Sequence, residues 1–69
     1  MPLTLVKPGE GRTVRKLGGP EDLKNRLLAM GFTVGSEVKV VSQFAGNLIV
    51  LVKDSRFAIS REMANTILV

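Results

Sequence analysis

The sequence predicts a mainly β fold: a small, strongly bent sheet of five to six short strands, closing into a barrel, with one inserted α-helix over about residues 20–30. Three observations carry this expectation. Apolar residues alternate at period two in "EVKVVSQ" (37–43) and "RFAIS" (56–60). Turn signals interrupt the chain every several residues, at Pro8-Gly9, Gly35, Ala45-Gly46-Asn47 and Asp54-Ser55. One segment, "GGPEDLKNRLLAMG", carries helical spacing with punctuation at both ends. Closing so short a sheet into a barrel removes strand edges that would otherwise invite aggregation.

Taken in order, "LTLV" (3–6) is a β-prone run, and Pro8-Gly9 suits the central positions of a type II turn. "RTVRKL" (12–17) is a second strand candidate. Its apolar residues Val14 and Leu17 are three apart, so strict alternation fails and a bulge or an early exit is expected. In the helix, Pro20 fits the first helical position. Glu21 and Asp22 meet the positive end of the helix dipole. Leu23, Leu27 and Met30 form one stripe, and Gly31 can adopt the left-handed capping conformation. "LIVLVK" (48–53) is apolar on both faces, as a central strand would be. "REMAN" suggests a helical turn near 61–64 capped by Ser60, and "TILV" a last strand. The expected core is Val14, Leu23, Leu27, Val38, Val40, Val50, Val52, Phe57, Ile59 and Ile67. Residues 1–69 read as a single domain, without linker or internal repeat.

Composition narrows the chemistry. The chain has 69 residues with no Cys and no His, which excludes disulfides, thiolate or imidazole metal sites and histidine-based catalysis. Its four serines outside the helix, Ser36, Ser42, Ser55 and Ser60, have no histidine to activate them, and no glycine-rich phosphate loop is present. The expectation is a protein that is not an enzyme. No carboxylate cluster has cation-loop spacing, and the three methionines suit core filling better than metal ligation, so no cofactor is expected; Fe²⁺ would find no visible ligand set. The N-terminus lacks the pattern of a signal peptide, and no apolar run approaches the roughly 20 residues that span a bilayer. A soluble, cytoplasmic protein is expected.

Two surfaces remain as candidates. The net charge is +4, and Arg12, Arg15, Lys16, Lys39 and Lys53 could line a basic face. Only Phe32, Phe44 and Phe57 are available to stack on bases, so nucleic acid is a weaker partner than a protein. The other surface is apolar. Leu28 lies about 100° around the helix from Leu27, off the inward stripe. Ile49 and Leu51 face opposite to Leu48, Val50 and Val52. Leu28, Met30, Ile49 and Leu51, with Arg26 as an edge contact, are therefore the candidate docking residues. The same patch could drive weak self-association at high concentration.

The three stretches "LVKPGEGRTVRKLGG", "RLLAMGFTVGSEVKVV" and "GNLIVLVKDSRFAISREMANTILV" resemble, in order and spacing, the FeoA family of small proteins of bacterial ferrous iron transport. The resemblance covers Leu3 to Val69. Val34 and Leu48 stand where the family often has proline. It implies an SH3-like barrel with the helix inserted after the second strand. It also implies a partner, the membrane iron transporter FeoB, with its cytoplasmic GTP-binding part. It supplies no catalytic or metal-binding residue set. The first functional reading is a non-enzymatic accessory protein that docks on that transporter, placing it at the inner face of the membrane through its partner. The alternatives are a small basic nucleic-acid-binding barrel and a direct Fe²⁺-sensing domain.

Overall fold

Two antiparallel sheets enclose the core in the computed structural model, which describes residues 1–69. The larger contains β1 (Gly11–Thr13), β3 (Glu37–Phe44), β4 (Asn47–Val52) and β5 (Ser55–Ser60) in the order β1-β3-β4-β5; the smaller pairs β2 (Lys16–Leu17) with β6 (Ile67–Leu68). The 12–17 segment is one path divided between the two sheets. The Val14 N–H bonds the Ser36 carbonyl at 2.8 Å, and the next N–H, of Arg15, bonds the Leu68 carbonyl at 2.7 Å. Val14 and Leu17 both point into the core from either side of this transfer, which is why their spacing breaks strand alternation.

The sequence reading needs three local corrections. "LTLV" is not a strand. Leu3–Leu5 forms a 3-10 turn, with Val6 N–H bonded to the Leu3 carbonyl at 3.1 Å, and this spacing buries Leu3 and Val6 together. Pro20 is the cap of α1 (Glu21–Met30) rather than its first helical residue, in extended conformation with ψ 154°. The β4–β5 turn is Lys53-Asp54, both with positive φ (48° and 65°), so Ser55 already belongs to β5. Between β3 and β4 a bulge shifts the register between Val40 and Ser42, leaving Val38 and Val40 pointing inward.

Helix α1 ends where expected. Gly31 takes φ 106°, and the Phe32 N–H returns to the Leu27 carbonyl at 3.0 Å. α1 runs from beside Thr66, which packs near Gly19, to beside Val52 and Lys53, which pack near Gly31. Helix α2 (Arg61–Asn65) begins at the other turn of β4: the Arg61 N–H bonds the Gly46 carbonyl at 3.2 Å. Its cap is Ser60, whose Oγ accepts from the Met63 N–H at 3.2 Å.

Eight of the expected core residues are buried: Val14, Leu27, Val38, Val40, Val50, Val52, Ile59 and Ile67. Leu23 and Phe57 are half-buried and pack against the core from its margin. Leu3, Val6, Leu17, Phe32, Leu48, Ala64 and Val69 complete it. Much of this addition comes from the chain ends. The N-terminal amine donates to the Val69 carbonyl at 2.9 Å, and the Val69 N–H to that of Met1 at 2.8 Å, which seals the termini together.

Candidate functional site

The candidate docking residues occupy two different elements. On α1, Leu27 is fully buried and Leu28, one residue on, is 41% exposed. Arg26 is exposed beside it. Met30 is half-buried against the core, because it continues the inward stripe of Leu23 and Leu27. On β4, Leu48, Val50 and Val52 face the core, while Ile49 and Leu51 are half-buried on the outer face of the sheet. Register places Leu51 in a cross-strand row between Lys39 of β3 and Arg56 of β5, and Ile49 in the next row between Ser42 and Ala58.

The five candidate basic residues divide. Lys39 and Lys53 line an open depression of about 340 Å³ with Ser36, Glu37, Leu51 and Asp54. Arg12 and Arg15 line another, of about 550 Å³, with the chain termini Met1 and Val69. Arg12 also bonds Glu10, Nη2 to Oε2, at 3.1 Å, the one ion pair of the molecule. Lys16 lies on the smaller sheet opposite Leu68 and lines neither depression. Phe32 is fully buried, so of the three aromatic side chains only Phe44 stands clear of the fold, at 76% exposure. Lys39 and Lys53 thus line a different depression from Arg12 and Arg15.

No charged or polar side chain is buried, and no group of three carboxylates lies where it could hold a metal ion. No helix is long and apolar enough to cross a membrane. Sequence reasoning gave no docking role to the exposed apolar side chains Met1, Leu5 and Val34, and offered Phe44 only for stacking on bases. For Phe44 a signal was present, since it immediately precedes the Ala45-Gly46 turn at the end of a long strand. Arg56 was missed too, although the alternation that turns Phe57 and Ile59 inward turns Arg56 outward.

The chain matches the FeoA domain over residues 1–69. It is 37% identical over 68 residues to a Methanocaldococcus jannaschii protein carrying the name "Putative Fe(2+) transport protein A", covering 99% of this chain and 83% of that one. Among solved structures, an iron uptake regulatory protein, FeoA, superposes with a TM-score of 0.87 at 30% identity, covering 96% of this chain and 88% of its own. The zinc complex of Stenotrophomonas maltophilia FeoA, described as a prokaryotic SH3 domain protein, gives 0.87 at 24% identity, with 99% and 87% covered. A manganese-dependent transcriptional repressor shares the fold in 39% of its length, at 18% identity and a TM-score of 0.88. The SH3-like barrel, the inserted helix and the match along the whole chain lead to one conclusion: this chain belongs to the FeoA family.

Proposed function

We propose that the protein is a non-enzymatic accessory factor of ferrous iron uptake, acting in the cytoplasm by docking on the GTP-binding part of a FeoB-type transporter. The observation that carries this reading is the contrast between adjacent leucines on α1, one fully buried and one 41% exposed. The exposed part of Leu28 gains nothing for the fold where it stands, and it gains transfer free energy when a partner covers it. Arg26 beside it gives the contact a charged rim, the usual anatomy of a protein interface. Ile49 and Leu51 add a second apolar area on the sheet.

The test is Leu28→Glu. It should shift folding stability by no more than about 0.5 kcal/mol, as exposed substitutions do. It should also remove co-purification with the transporter, because a carboxylate at a desolvated contact has no partner there. Binding by the parent chain should persist at high salt, unlike contacts made to phosphates. A folded Leu28→Glu protein that still captures the transporter would reject the helix as a docking surface.

A further inference from the structure

The larger sheet ends on β5, and the outer edge of that strand is open. β5 pairs only with β4, in a register closed by the two-residue Lys53-Asp54 turn. In such a hairpin the closing pair Val52–Ser55 exchanges hydrogen bonds, and the pattern alternates from there. Ser55, Phe57 and Ile59 thus direct their N–H and C=O groups toward β4, and Arg56 and Ala58 direct theirs away. No backbone or side-chain group of the protein bonds Arg56 or Ala58 from that side. Both residues are exposed.

Three side-chain features converge on this edge. Arg56 has no ion-pair partner and ends the row that contains Lys39 and Leu51. Ala58 ends the next row, and its small side chain leaves the half-buried Ile49 without a neighbour on that side. Phe57, which faces the core, is only half-buried because the sheet stops at its strand. Each of these is what a missing neighbouring strand would leave behind.

We propose that the β5 edge receives an extended segment of a partner protein as a fifth strand, carrying an acidic residue opposite Arg56 and apolar residues opposite Phe57 and Ala58. Residues directly opposed in a sheet share a face. The acidic residue therefore meets the Arg56 guanidinium on the outer surface. The residue opposite Ala58 reaches over it onto Ile49, and the one opposite Phe57 completes the cover of the core. Backbone pairing supplies affinity and the side-chain pattern supplies selection, as in other strand additions. The charge favours an acidic segment over a second copy of this chain, since two copies bring together like net charges of +4. The proposal deepens the docking reading and rests on it in taking Ile49 and Leu51 as contact surface. It does not involve Leu28, so its failure and a failure of the helix contact are separately visible.

The test selects binders to the intact chain from a displayed library of random dodecapeptides. Enriched peptides are synthesised and their contacts mapped by amide chemical shifts and hydrogen exchange. The expected peptides carry one acidic residue beside adjacent apolar ones, and they slow exchange at the Arg56 and Ala58 amides. Ala58→Pro removes an N–H that β4 does not use, so it should abolish binding while the chain still folds. Arg56→Glu should weaken binding about fivefold, the scale of one cross-strand charge pair, and a peptide with lysine in place of its acidic residue should restore it. The charge exchange decides the matter should Ala58→Pro fail to fold. An empty selection, peptides that map to α1 or to the Arg12–Arg15 depression, no response to the charge exchange, or pairing of the chain with itself through β5 would overturn the proposal.

Discussion

Helix α1 has ten residues and fully buries one of them, Leu27, whereas α2 has five and fully buries Ala64. Both helices meet a turn of β4: α1 ends beside Val52 and Lys53, and α2 starts at the carbonyl of Gly46. α2 is fixed at its start by the Ser60 hydroxyl and along its length by the 3-10 turn, where Thr4 Oγ1 donates to Asn65 Oδ1 at 2.8 Å. α1 has no side-chain cap, and it is held by the fully buried Leu27, by the half-buried Leu23 and Met30 of the same stripe and by a glycine at its end. A ten-residue helix is marginal alone in water, so α1 persists because its inward stripe, centred on Leu27, is anchored in the core. A helix held along one line leaves its remaining surface free, and that freedom exposes Leu28 and Arg26.

The contrast can be broken at its strongest point first. Leu27→Ala should lower stability by about 2–5 kcal/mol in chemical denaturation, through lost burial and the cavity left behind. An unchanged midpoint would show that α1 is not anchored there. Gly31→Ala comes next. It forces an L-residue to φ 106° and brings a Cβ within 3.3 Å of the Lys53 side chain, so a loss of about 1–2 kcal/mol is expected, read as a lower melting temperature. Ser60→Ala tests the other helix. Removing the cap should destabilise by about 1 kcal/mol, with faster amide exchange at Met63 as the local signature. Leu28→Glu is the smallest in stability, within about 0.5 kcal/mol, and its effect should appear only in partner capture. A Leu28→Glu loss as large as that of Leu27→Ala would erase the distinction between the two leucines.

Much of this arrangement was legible in residue order. The end of α1, the glycine cap, the serine cap and the inward faces of β3 and β4 all follow from local rules of spacing and backbone conformation, and the structure places them as expected. What was not legible depends on distant segments meeting. Leu3 and Val6 read as a strand because the run is β-prone, but the 3-10 turn at Leu3–Leu5 packs against α2 and buries both side chains in the core. Phe32 read as a stacking candidate because it is one of only three aromatic residues. It is buried because the reversal at Gly31 swings it under the sheet.

The candidate site divides in the same way. Sequence alone separated Leu28 from Leu27 and Ile49 and Leu51 from Val50, because helical and strand periods determine which side of an element a residue occupies. Only the tertiary structure decided which residues from different elements share a surface. It parted four of the five basic residues between two depressions and placed the fifth, Lys16, on the smaller sheet. It also placed Arg56 in line with Leu51 and Lys39, and left the outer edge of β5 unpaired. Periodicity is a property of each element, whereas strand order and register arise only when the sheets close around the core.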